Sequence, residues 1–132
     1  MVELTKTQRA LEIVYLACVD IPVKEGRLYM FLAIDDYSTA VFNLNSALEL
    51  TDAACIDAIK QFFSREEVQR AAEGVHLVVP FNELLRKSIE KLVAPYSGQV
   101  SFSMAGVNRV AGPMIKEVLR GVDYKLTYSD EN

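Results

Sequence analysis

The chain has 132 residues, 51% of them hydrophobic and 24% charged, with a formal net charge of −4 at pH 7. That length and apolar content suit one domain with a real core, residues 1–132, carrying an N-terminal extension over 1–11 and a C-terminal tail over 123–132. The acidic balance argues against a domain that lives on non-specific DNA contact, and no apolar run reaches the roughly 18 to 20 residues of a membrane span.

The chain opens on Met1-Val-Glu-Leu-Thr-Lys-Thr-Gln-Arg9, which is polar and carries an acid. A signal peptide is not expected there, and a cytoplasmic protein is. Leu4 to Leu11 suits a short helix capped by Thr5 or Thr7. Glu12 to Val23 reads as a first strand, interrupted near its end by Asp20. Lys24-Glu-Gly26 is turn chemistry, with Gly26 free to take positive φ. Arg27-Leu-Tyr-Met-Phe-Leu-Ala-Ile34 has no polar alternation, as in a strand covered on both faces. It stops at Asp35-Asp-Tyr-Ser38, whose short polar side chains can bond their own backbone. Thr39 to Asn45 then alternates Val41, Asn43 and Asn45 against Phe42 and Leu44, so residues 28–45 form a hairpin.

Thr51 is a fit N-cap, with Asp52 in the first turn to suit the helix dipole. Ala54, Ala58 and Phe62 recur at spacing four, which predicts a helix packed on the sheet. A second, polar helical piece runs from Arg65 to Glu73 and closes at Gly74. Val75 to Pro80 is a fourth strand. Asn82 to Val93 is a helix with Leu84, Leu85, Ile89, Leu92 and Val93 on one side, and Val100 to Ser103 a fifth strand. Met104 to Gly112 reads as a flexible segment. Pro113 suits a helix's first position, followed by Ile115, Val118, Leu119 and Val122 as its buried stripe. Asp123 to Asn132 reads as a fraying tail. The order is β-β-β-α-β-α-β-α, an α/β (α+β) chain with a mixed five-stranded sheet and helices on its faces.

Few residues invite other chemistry. Cys18 and Cys55 are isolated in apolar stretches and read as buried free thiols. His76 is the single histidine, so a multi-histidine metal site is excluded. Gly106 to Gly112 lacks the spacing and the Lys-Ser/Thr of a phosphate loop. No small-molecule site stands out.

Val19-Asp20-Ile21, a short turn, then Gly26-Arg-Leu-Tyr-Met-Phe-Leu-Ala-Ile-Asp-Asp-Tyr-Ser38 resembles the opening of the catalytic core of DDE transposases and retroviral-type integrases. Thr51 to Phe63 resembles that family's next helix. Ser103-Met-Ala-Gly106 with Glu117 resembles its late Ser-x-x-Gly turn and the helix bearing the last acid. The resemblance spans Tyr15 to Leu119 and implies a ribonuclease H-like fold. It also implies DNA integration chemistry at a Mg²⁺ site, and DNA or further copies of the chain as partners. By the same resemblance Asp20 stands as the first catalytic acid and metal ligand and Glu117 as the last catalytic acid, while Asp35 and Asp36 inherit no catalytic role.

Two departures bear on activity. The second acid belongs just after the fourth strand, where this chain reads Val79-Pro80-Phe81-Asn82-Glu83, with neither Asp nor Gly following the strand directly. Glu117 also lies opposite the expected stripe of Ile115, Val118, Leu119 and Val122. The expectation is an integrase-core-like domain that is catalytically defective, acts by binding or self-association, and needs no cofactor. The alternative is an active Mg²⁺-dependent nuclease or polynucleotidyl transferase with rearranged acids: Asp20, one of Asp35 and Asp36, and Glu83 or Glu117.

Overall fold

Two apolar runs, buried on both faces, and tight turns at the start of the chain build a three-stranded antiparallel meander. In the computed structural model, which describes residues 7–128, these strands are β1 (Ile13–Val23), β2 (Gly26–Asp35) and β3 (Val41–Ala47). Val23 pairs with Gly26 at the first turn, and Gly26 takes φ +136°, a conformation that side chains disfavour. The second turn closes with Asp35 N–H donating to the Ala40 carbonyl at 3.0 Å. Within the described part of the N-terminal extension, residues 7–12 form turns and bends with no helix; Leu4 to Lys6 lie outside the described residues.

The helices follow their caps. Thr51 accepts the Ala54 N–H at 3.1 Å and opens α1 (Asp52–Phe63), and α2 (Glu66–Ala71) follows it. After β4 (His76–Val79), Asn82 starts a 3₁₀ turn, Glu83–Leu85, that runs into α3 (Arg86–Val93). Leu84, expected in the buried stripe here, is 87% exposed, because the 3₁₀ turn rotates it outward; Leu85, Ile89 and Val93 are buried. β5 is Gln99–Phe102.

The last helix departs from expectation. α4 runs from Met104 to Val118, through the segment read as flexible, with Pro113 inside it. Ser103 Oγ accepts the Gly106 N–H at 2.9 Å, so the Ser-x-x-Gly sequence is an N-cap. A side chain at 106 would place its Cβ 2.7 Å from that oxygen, which is why glycine suits the position. Pro113 and Arg109 are both exposed, so water can reach the carbonyl that the proline leaves without a donor. The buried stripe is Val107, Ala111, Ile115 and Leu119, whereas Val118 and Val122 are 55% and 43% exposed. In the segment read as a tail, Lys125–Leu126 forms a sixth short strand, β6.

The sheet order is β3-β2-β1-β4-β5, with β4 parallel to β1 and β5 parallel to β4. β6 lies antiparallel beside β1, pairing Val19 with Leu126 and Asp20 with Lys125. Successive side chains of each strand go to opposite faces. Leu16, Cys18, Phe31, Ala33, Leu77 and Val79 join the core beneath α1, α2 and α3. Ala17, Val19, Leu32 and Ile34 form a second core beneath α4. This is the mixed sheet of a ribonuclease H-like fold, with three helices on one face and one on the other.

Candidate functional site

In a mixed sheet, ligands bind where neighbouring strands diverge, beyond the carboxyl ends of parallel strands. Here that place is the junction of β1 and β4. β4 pairs with β1 only over Ile13–Tyr15, the last pair being Tyr15 with Val78. Asp20 lies five residues further along β1, about 16 Å at the usual strand rise. The free edge of β1 beside Asp20 is taken by β6.

Asp20 has a partner of its own. Its Oδ1 accepts a hydrogen bond from Arg27 across the hairpin at 2.7 Å, and its side chain is 13% exposed. By strand alternation it shares a side with Leu16 and Cys18, away from α4. The residues of β1 that do face α4 are Ala17 and Val19, each at most 1% exposed, packed with Ala111, Ile115, Val78 and Leu126.

Glu117 lies one residue from the end of α4 on its exposed side, ion-paired with Arg120. The place after β4 holds Pro80 and Phe81, both buried. Phe81 packs edge-on against Phe31 at 6.2 Å and Tyr128 at 5.6 Å between ring centroids. Asn82 caps the 3₁₀ turn by accepting the Leu84 N–H at 2.8 Å, and Glu83 pairs with Arg86 at 2.7 Å on the surface. The structure thus puts Asp20 and Glu117 on opposite sides of the sheet.

Asp35 and Asp36 do the work of a turn. Asp35 is 1% exposed, and its carboxylate accepts the Leu11 N–H at 2.9 Å, the Ser38 N–H at 3.2 Å and the Ser38 hydroxyl at 2.7 Å. Asp36 accepts the Thr7 hydroxyl at 3.1 Å. Mg²⁺ demands several oxygen ligands at about 2 Å. Among the described residues, no group of three or more His, Cys, Asp or Glu side chains is placed to hold a metal ion. With Asp20 held by Arg27, Glu117 facing out and Asp35 saturated by turn donors, the donor set does not fit a two-metal site.

Two clusters escaped sequence reasoning. His76 Nε2 lies 2.6 Å from Ser101 Oγ, across from β4 to β5, and burial lowers the imidazole's pKa. The second cluster is formed by Cys18, Cys55, Thr127 and Tyr128. Both cysteines are free and buried, and the Tyr128 hydroxyl is 3.3 Å from Cys55 Sγ. Burial pushes the Cys18 thiol up to about 12, a nearby Thr127 hydroxyl offsetting part of the rise. Burial also raises Cys55. No sequence signal marked the strand that brings Thr127 and Tyr128 there, since it has only the two residues Lys125–Leu126.

No protein-family model matches this chain, and no curated protein matches it in sequence. Solved structures do match it in fold. The simian T-cell lymphotropic virus intasome, in complex with PP2A regulatory subunit B56 gamma, contains a chain that superposes with a TM-score of 0.60 at 10% identity. The match covers 86% of this chain and 42% of that one, so this chain spans under half of that relative's length. The HTLV-2 integrase catalytic core domain, in complex with magnesium in a trimeric form, superposes with a TM-score of 0.58 at 15% identity. That match covers 83% of this chain and 69% of the core domain. The fold is that of retroviral integrase catalytic cores. No helix of the described residues is long and apolar enough to cross a membrane.

Proposed function

We propose that this chain is an integrase-core-like domain without two-metal chemistry, acting as a binding module whose first partner is another copy of itself. One observation carries the reading: the junction of β1 with α4 is apolar, built from Ala17, Val19, Ala111 and Ile115, while Asp20 is paired away from it with Arg27. A carboxylate in such surroundings would need a metal or a cation to offset its desolvation.

Self-association is favoured over a nucleic-acid partner on two grounds. The chain is acidic, at −4, which opposes contact with phosphates. The HTLV-2 core it resembles is described in a trimeric form. Val118 and Val122, exposed at the end of α4 and in the turn after it, continue a half-buried line through Val110 and Met114 and give a copy an apolar contact.

Calorimetry with Mg²⁺ and Mn²⁺ on the parent and on Asp20→Asn tests the first part. The expected result is no binding at millimolar metal in either protein. Binding in the parent that vanishes in Asp20→Asn would overturn it, and would restore a metal-dependent nuclease or transferase with Asp20 as a ligand. Sedimentation velocity across a concentration series tests the second part. A monomer at all concentrations, for both the parent and Val118→Asp, would refute self-association.

A further inference from the structure

The last described residues close one crevice. β6 takes the edge of β1 that β4 has left, and Thr127 N–H donates to the Cys18 carbonyl at 2.9 Å. Leu126 goes to the α4 side and packs with that core. Tyr128 goes to the other side, where it joins the main core. Its ring meets Phe81, its hydroxyl meets Cys55, and its carbonyl accepts from Asn108 Nδ2 at 3.4 Å. Both cysteines thus lie behind this segment, Cys18 on β1 and Cys55 on α1.

The segment is weakly held compared with what it covers. β6 has two residues, whereas β2 pairs with β1 over ten positions. It is joined to α4 through residues 119–124, which form a turn and then no regular structure. Tyr128 takes φ +63°, a left-handed conformation costly for a residue with a side chain. Thr127 Oγ1 is buried with no hydrogen-bond partner among the described residues. Short, sparsely anchored segments open at a free energy well below that of global unfolding.

We propose that Lys125–Tyr128 is a detachable strap that closes the crevice at the carboxyl end of β4, and that its release uncovers Cys18 and Cys55 as a site for thiol-reactive electrophiles. With the strap in place both thiols are buried and protonated, hence unreactive. With it open, water reaches them and the thiolate forms. That thiolate attacks a disulfide reagent, makes a mixed disulfide and expels the reagent's other sulfur as a thiolate, the thiol proton passing to buffer.

The test is labelling of the full chain by an aromatic disulfide across a urea series, each cysteine being followed by peptide mass spectrometry. In the parent, labelling of both is expected to be nearly independent of urea at low concentration, the mark of local opening. Leu126→Ala removes an anchor on the sheet face opposite both thiols. It should raise that flat rate about tenfold, more than it raises the global unfolding constant. Parent labelling that tracks global unfolding at every urea concentration would overturn the strap. So would a Leu126→Ala effect no larger than its effect on global stability. Should that variant fail to fold, the parent's urea profile decides alone.

Discussion

Replacing Asp35 by alanine should cost this protein a large part of its stability without touching any chemistry. The carboxylate is buried, and its Oδ1 accepts the Leu11 N–H at 2.9 Å inside the protein. Losing that acceptor leaves a buried amide unpaired, about 1–3 kcal/mol. The two Ser38 bonds, at 3.2 and 2.7 Å, are half-buried. Water can replace them in part, so they add about 0.5 kcal/mol each. The sum is about 2–4 kcal/mol, against about 7–20 kcal/mol for a domain of this size. In urea unfolding, with a slope of about 2 kcal/mol per molar, the midpoint should fall by about 1–2 M. Asp36→Ala, which among the described residues loses one side-chain bond, from the Thr7 hydroxyl, should change stability by less than about 1 kcal/mol. A loss below about 1 kcal/mol in Asp35→Ala would refute the turn role. So would a parent midpoint that rises with millimolar Mg²⁺ and stops doing so in the variant, because a ligand of the native state stabilises it.

Two further outcomes follow from the helix packing and from His76. Ile115 is fully buried under α4 and Val118 is 55% exposed, so Ile115→Ala should cost about 2–5 kcal/mol and Val118→Ala little in chemical denaturation of the monomer. For His76, burial lowers the folded-state pKa below its ordinary 6.5. Between those two values the unfolded chain binds more protons, so stability falls as pH drops below 6.5. Denaturation midpoints at pH 7.5 and 5.5 should therefore show the parent losing more stability than His76→Gln; an equal loss in both proteins would contradict a half-buried imidazole with a lowered pKa.

Local chemistry was legible where a residue's partner lies close along the chain. The turn acids and the Thr51 cap specify bonds to near neighbours and are present, whereas the alternation of Val41 to Asn45 holds only as far as Leu44, where a register shift against β2 brings Asn45 to Asp57 of α1. The mixed sheet followed from the order of those elements. The resemblance carried by Asp20 to Ser38 pointed to the integrase-core fold that the solved structures share.

What the sequence alone could not decide is which face and which edge each acid occupies. A strand's side chains alternate whatever lies above them, so whether Asp20 or its neighbour Val19 looks toward α4 depends on a helix more than eighty residues away. Pro113 is a helix-start signal by local rules, yet packing of Val107, Ala111 and Ile115 onto the sheet carries α4 straight through it. Lys125–Leu126 has too few residues to declare itself a strand; it becomes one because β4 leaves the edge of β1 open at Val19 and Asp20. Short-range hydrogen bonding and periodicity are written in adjacent residues. The filling of the crevice, and with it the fate of the site, is set by contacts between distant ones.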